Sequence, residues 1–371
     1  LEGKTVAIGH SGRGGIVSTC SYKARKYGVH SGMPMFKAQE LCKNLIVIEG
    51  DYNYYEVLSN EFISYIKSYT KIVEQASIDE CYADFTEQVS HCDNVVDYFK
   101  SIQNGLLRKT GLKCSIGIST TKFLAKMASD LQKPLGLVIL RKKDVPTYLF
   151  NNPVGTYFGI GAKSVPKLNA IGVKTIGDLY SGLKDKDSEV SKFYGGFSQG
   201  YIDNLEGNSS DSVEQIEEQP DSVSTRDTLP YDIDHVDALR PFLVSVFNST
   251  FSRFKKMNLL CGGITISYRY TNLKTKTCAK KLDVPTDDKL VLQDILLKHF
   301  ENTYHNESVR QIGVIFDYLS NKADANIQMS LFDYEYYENK DNTKQIIDEL
   351  NKSINSQNAK LMRASELLKD K

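Results

Sequence analysis

At 371 residues, 41% hydrophobic and 25% charged, the chain has room for two to four domains and the balance of a soluble globular protein. Its 46 basic and 46 acidic residues cancel, which removes the simplest electrostatic argument for a nucleic-acid partner. Seven scattered cysteines without a C-x-x-C pair argue against zinc, and no apolar run reaches the length of a membrane span. The expectation is a cytoplasmic protein with no secretory signal and no membrane partner.

The neutral average hides a segregation. Residues 203–221 hold seven acids and no base, while residues 253–281 hold eight bases and no acid. Charge separated in this way can build one basic face on a neutral protein.

In chain order, residues 5–9 read as a strand, 11–15 as a loop and 16–19 as a second strand. A helix is expected over 20–27, stopped by Gly28 in the left-handed cap position. On it Tyr22 and Arg25 lie three apart on one face, beside Lys26. That face suits a triphosphate, and equally suits plain solvation. Pro34 is placed to open the next helix, to about Cys42. Residues 60–69 carry apolar side chains at helical spacing.

Then comes Ala76-Ser77-Ile78-Asp79-Glu80-Cys81-Tyr82-Ala83-Asp84-Phe85. It sets two adjacent carboxylates inside a strand-like apolar stretch, where carboxylates are disfavoured. Burying them costs several kcal/mol unless a cation or donor meets them. Mg²⁺ is one such cation, and a solvated strand end with an acidic face is the other reading. Residues 94–107 are expected to be helical, 114–119 a strand and 120–132 a helix ended by Lys133-Pro134. On the last helix Phe123, Leu124, Met127, Ala128 and Leu131 form the buried stripe. Lys122, Lys126 and Lys133 cluster on another side, where they repel unless an anion lies among them.

Residues 158–179 read as hairpin, helix, glycine turn, helix. Pro166 falls in a first helical turn, Gly172 stops that helix, and Thr175 with Asp178 has capping-box spacing. Gly159, Gly161 and Lys163 sit where backbone N–H groups would meet a phosphate. Residues 208–221 read as a linker. A second α+β unit follows: a helix over 236–258, a half-buried strand over 263–271 with Arg269 on its polar face, further strands over 276–284 and 309–319, and a helix over 287–302. Arg269, Lys274, Lys276, Lys280 and Lys281 are expected to share one phosphate-tracking sheet face. In the polar tail, Gln328-Met329-Ser330-Leu331-Phe332 carries two isolated apolar anchors suited to docking in a pocket.

Taken together, the chain resembles the Y-family, UmuC/DinB-type translesion DNA polymerases, from its start to about residue 320. The residues that carry the resemblance are those from Val17 through Tyr22, Arg25 and Gly28 to Ser31-Gly32-Met33-Pro34, Ser77-Ile78-Asp79-Glu80, and Gly117-Ile118-Ser119 through Lys126 to Lys133-Pro134. The segment Asn358-Ala359-Lys360-Leu361-Met362-Arg363-Ala364-Ser365 looks closest to the UmuC-like branch of Gram-positive bacteria. The resemblance implies a multidomain α+β right hand: fingers over 1–50, palm over 51–142, helix-hairpin-helix thumb over 143–207, linker over 208–222, little finger over 223–320 and a clamp-binding tail over 321–371. It implies that Asp79 and Glu80 ligate two Mg²⁺ ions and that Tyr22, Arg25 and Lys133 hold the triphosphate. Gln328, Leu331 and Phe332 would bind the bacterial sliding clamp. Primer-template DNA, dNTP and a UmuD-like accessory protein are the further implied partners, and SOS damage tolerance the setting. The family's first strand carries another metal-binding Asp and an aromatic that excludes ribonucleotides, and no such strand precedes Leu1. The chain as given is therefore expected to be inactive. A non-catalytic DNA- and clamp-binding remnant stands as the alternative, and a metal-dependent nuclease would leave the triphosphate residues without a task.

One requirement is not visible in the sequence. Neighbours on a regular strand point to opposite faces, so Asp79 and Glu80 can share a metal only where the strand bends.

Overall fold

The computed structural model describes residues 1–210, 212–214, 219–322 and 347. The chain divides into two compact units, Leu1–His10 with Ile16–Glu218, and Ser11–Gly15 with Gln219–Lys371. No helix among the described residues is long and apolar enough to cross a membrane.

The first unit opens with a three-stranded sheet of β1 (Val6–Gly9), β2 (Val17–Cys20) and β3 (Ile46–Ile48), in the order β2-β1-β3. Between β2 and β3 lie α1 (Tyr22–Arg25) and α2 (Met35–Leu41), whose Ala24, Met35 and Ala38 pack on Ala7 and Val17. The helix expected over 20–27 is thus a single turn. Ser21 caps its start by accepting from the Ala24 N–H, and Gly28 at φ +86° turns the chain away.

A second cluster gathers α3 (Tyr52–Lys67), the hairpin of β4 (Val73–Gln75) and β5 (Cys81–Ala83), α4 (Thr86–Ser90), and α5 (Val95–Thr110). Helix α3 begins well before residue 60 because the Asp51 carboxylate accepts from the Tyr54 N–H and caps it. Asn94 caps α5, and Gly111 at φ +75° ends it. Strands β6 (Ile116–Ile118) and β7 (Leu137–Ile139) pair in parallel, with α6 (Lys122–Leu131) between them in sequence. Of the stripe expected on α6, Phe123, Leu124, Met127 and Ala128 are buried and Leu131 is half-buried.

That stripe packs into a third cluster with α7 (Val145–Leu149), α8 (Val165–Ala170), α9 (Ile176–Lys184), α10 (Glu189–Tyr194) and α11 (Ser198–Glu206). The core therefore runs through the 142/143 boundary placed from sequence. The capping box is present: Asp178 N–H donates to Thr175 Oγ1 at 3.0 Å, and Thr175 N–H to the Asp178 carboxylate at 2.9 Å. The Thr175 and Lys174 N–H groups, with the Thr175 side chain, hold the Asp178 carboxyl below its ordinary range.

The second unit is a four-stranded antiparallel sheet, order β10-β9-β11-β8, built from β8 (Ser222–Ile233), β9 (Leu259–Tyr270), β10 (Thr275–Thr286) and β11 (Val309–Asn321). Helices α12 (Val236–Lys256) and α13 (Lys289–Thr303) bury Leu243, Phe247, Phe254, Leu296 and Phe300 against Ile264, Ile266, Tyr268, Val314 and Phe316. Strand β8 escapes the sequence reading because Arg226, Asp227, Pro230 and Asp232 interrupt its apolar pattern. It is an edge strand, where proline is tolerated.

Two expectations for this sheet are corrected. Thr265 and Ser267 are buried rather than solvated, since β9 is flanked on both sides and Thr265 Oγ1 donates to Asp317 Oδ2 at 2.8 Å. The basic residues do not share one face. Register pairs Lys276 with Tyr268 and Lys280 with Ile264, on the helix side, whereas Lys281 pairs with Gly263 and Thr275 with Arg269, on the opposite side. Lys274 lies in the β9–β10 turn.

Candidate active site

The bend that a shared metal site requires is present. Strand β4 ends at Gln75 and β5 starts at Cys81, and the backbone N–H groups of Ala76 and Ser77 both donate to Glu80 O, at 3.0 and 3.1 Å. Asp79 and Glu80 therefore stand at a hairpin tip, not inside a strand. Ser77 locks the tip: its Oγ donates to Asp79 Oδ1 at 2.7 Å and accepts from the Asp79 N–H at 3.3 Å. Both carboxylates are exposed, so the burial cost expected from the apolar surroundings does not arise.

Lys122 and Lys126 of α6 reach this hairpin, Lys133 lies just past the helix end, and each lysine has a carboxylate partner. Lys122 Nζ pairs with Glu74 Oε2 at 2.9 Å, Lys126 with Glu80 Oε1, and Lys133 with Asp130 Oδ1 at 2.6 Å. Lys126 also faces Asp130 Oδ2 across 3.7 Å. No external anion is needed to hold the row together. Burial pulls the Lys126 ammonium down, but its hydrogen bond to Glu80 and the charges of Asp130 and Glu80 more than offset this, leaving its pKa above the ordinary value. Burial likewise pushes Glu74 up, and the Glu214 N–H at 3.0 Å with the Lys122 ammonium brings it below the usual carboxylate range.

Sequence reasoning missed Glu74 and Asp130. The i,i+4 spacing from Lys126 to Asp130 was a usable signal. Glu74 lies 48 residues from Lys122 and gave none.

Glu80, Lys126, Asp130 and Lys133 thus form one continuous ion-pair chain, with Asp79 adjoining. Tyr22 and Arg25 are exposed neighbours on α1, and no hydrogen bond or ion pair among the described residues joins them to that chain. Among the described residues no three His, Cys, Asp or Glu side chains are grouped to hold a metal. Two adjacent carboxylates nevertheless fit Mg²⁺, which takes one or two protein carboxylates and completes its shell with phosphate oxygens and water. Burial, with a smaller effect from Cys114, pushes the neighbouring Cys81 thiol up to about 12, so it stays protonated and the donor set is oxygen only.

The hairpin before α8 is open as well. Gly159 is at φ +100°, a β-carbon at Gly161 would meet nothing within 4 Å, and Lys163 is exposed. The backbone N–H groups of Gly159, Gly161, Ala162 and Lys163 find no acceptor among the described residues. In the second unit Lys274, Lys276, Lys280 and Lys281 are exposed and Arg269 is half-buried, its Nε without a partner among the described residues. Gln328, Leu331 and Phe332 lie outside the described residues.

Residues 1–130 match the impB/mucB/samB family, and residues 220–331 match the impB/mucB/samB family C-terminal domain. DNA polymerase IV of Bacillus velezensis is 33% identical over 359 residues, covering 95% of this chain and 84% of that one. DNA polymerase IV 1 of Bacillus subtilis is 33% identical over 374 residues, covering 100% and 88%. A chimeric Y-family DNA polymerase superposes with a TM-score of 0.71 at 27% identity, over 86% of this chain and 93% of that one. The insertion ternary complex of Dbh DNA polymerase gives a TM-score of 0.57 at 27% identity, over the same shares.

Proposed function

The chain belongs to the impB/mucB/samB family of Y-family DNA polymerases, and from that premise we propose how its residues divide the work. It is a DNA-directed DNA polymerase of the translesion type. The observation that carries the site assignment is the hairpin tip presenting Asp79 and Glu80 side by side at the end of a lysine row. Asp79 and Glu80 would hold Mg²⁺, two ions on the family pattern. When bound, the metal supplies charge neutralisation at the triphosphate and at the primer hydroxyl. Ser77 orients Asp79, while Tyr22, Arg25 and Lys133 take the triphosphate oxygens. Phosphoryl transfer asks little more of a protein than this positioning and charge stabilisation.

The substrates are primer-template DNA and dNTP, in keeping with the ternary complex of the Dbh relative. The free N–H groups around Gly159, Gly161 and Lys163 suit a DNA phosphate. Arg269 with Lys281 on one side of the sheet, and Lys274, Lys276 and Lys280 at its edge and turn, suit further phosphates without reading sequence. In a salt titration of DNA binding, Arg269→Ala and Lys280→Ala are expected to weaken every primer-template alike. Removing one basic side chain from a phosphate lowers the slope of log affinity on log salt by roughly 0.9. Slopes equal to the parent's in both variants would remove the sheet from the DNA-binding surface.

Gln328, Leu331 and Phe332 are proposed to dock on the bacterial sliding clamp, and a UmuD-like protein is the accessory partner proposed on family grounds. Replacing Leu331 and Phe332 together by Ala is expected to abolish clamp capture in a pull-down while clamp-independent synthesis continues. Undiminished capture would refute the assignment.

A further inference from the structure

We infer that Lys126 is a positioning residue that exchanges partners, leaving Glu80 for Asp130 when a divalent cation takes Glu80. The inference rests on the reading of Asp79 and Glu80 as the metal-binding pair. Helix α6 places Lys126 and Asp130 one turn apart on one face. The Lys126 side chain is only 14% exposed, and its Nζ lies 5.8 Å from the Phe158 ring centroid. The stem is covered and the half-buried ammonium is partly desolvated, so it favours a carboxylate partner over standing unpaired. Glu80 Oε1 supplies it here.

The alternative is already built. Asp130 engages Lys133 through Oδ1 at 2.6 Å, which turns Oδ2 toward Lys126 at 3.7 Å. A cation arriving at Glu80 repels the ammonium, and a small side-chain rotation seats it on Asp130 Oδ2 without displacing Lys133. Lys126 thus neutralises Glu80 before the metal comes, keeping two adjacent carboxylates from repelling each other, and yields when it arrives. Lys126 competes with the metal, and Asp130 relieves the competition.

The test is Mn²⁺ binding to the full-length protein without DNA or nucleotide, read from the electron paramagnetic resonance signal of free Mn²⁺. Lys126→Met is expected to tighten Mn²⁺ binding by at least about fivefold, and Asp130→Asn to loosen it by a similar factor. The double variant should bind as Lys126→Met does, since Asp130 acts only through Lys126. Lys126→Gln gives the same readout if the Met variant does not fold. Glu80→Gln separates the two claims. If it leaves Mn²⁺ binding unchanged, the metal-site reading itself fails. If it weakens binding but removal of the Lys126 charge leaves the affinity unchanged or lower, the exchange alone is overturned.

Discussion

Asp79→Ala in the full-length enzyme is expected to lower primer extension by at least about 1,000-fold, as the loss of several kcal/mol of charge stabilisation at a metal site requires. DNA affinity, read by fluorescence anisotropy, should stay within about twofold, because phosphate contacts elsewhere carry it. Asp79 is exposed and, among the described residues, makes its hydrogen bonds only within the turn, to Ser77. Truncating it removes no core contact, so a large kinetic effect with an intact fold identifies a chemical role. Single-turnover extension under both Mg²⁺ and Mn²⁺ is the measurement. Extension within about tenfold of the parent would remove Asp79 from the site.

Gly117→Ala should be strongly destabilising. A β-carbon there would lie 2.0 Å from Ala125 O and 2.4 Å from Ser129 N. Both are backbone atoms of α6, so no rotamer change relieves the clash, and the helix must lift off β6. Overpacking of a core usually costs about 1–3 kcal/mol, and a clash with rigid backbone belongs at or above the top of that range. Lys126 and Asp130 ride on the displaced helix, so the Glu80 ion pair opens too. Urea unfolding measures the loss. Stability within about 1 kcal/mol of the parent would show that α6 does not approach β6 so closely.

How much of this was legible in the sequence depends on how local each signal is. The helix-hairpin-helix was readable throughout, because Gly159, Pro166, Gly172, Thr175 and Asp178 each act on their own turn of chain. The apolar stripe of α6 was readable for the same reason. The bend at Ser77 was not: the decapeptide has the composition of a strand, and the turn comes from two backbone N–H groups converging on Glu80 O. The partners of Lys122 and Lys126 lie 48 and 46 residues away and are joined only by the fold. Strand β8 was hidden by its own edge position, since an edge strand can carry charges and proline that a central strand cannot. The division of the basic residues between two sheet faces follows from the β9–β10 register, which composition does not encode.

The position of β10 has a consequence of another kind. Among the described residues it is the outermost strand on its side, and its outer edge there offers unpaired N–H and C=O groups to a second copy of the chain. Lys276, Lys280 and Lys281 line that rim. Two copies meeting edge to edge would bring these ammonium groups together, so the lysines that suit a phosphate backbone also act as a colloidal guard against end-on stacking of sheets. Neutralising them all is then a change in self-association as much as in affinity, and light scattering of the lysine-free edge variant should rise with concentration where the parent stays monodisperse.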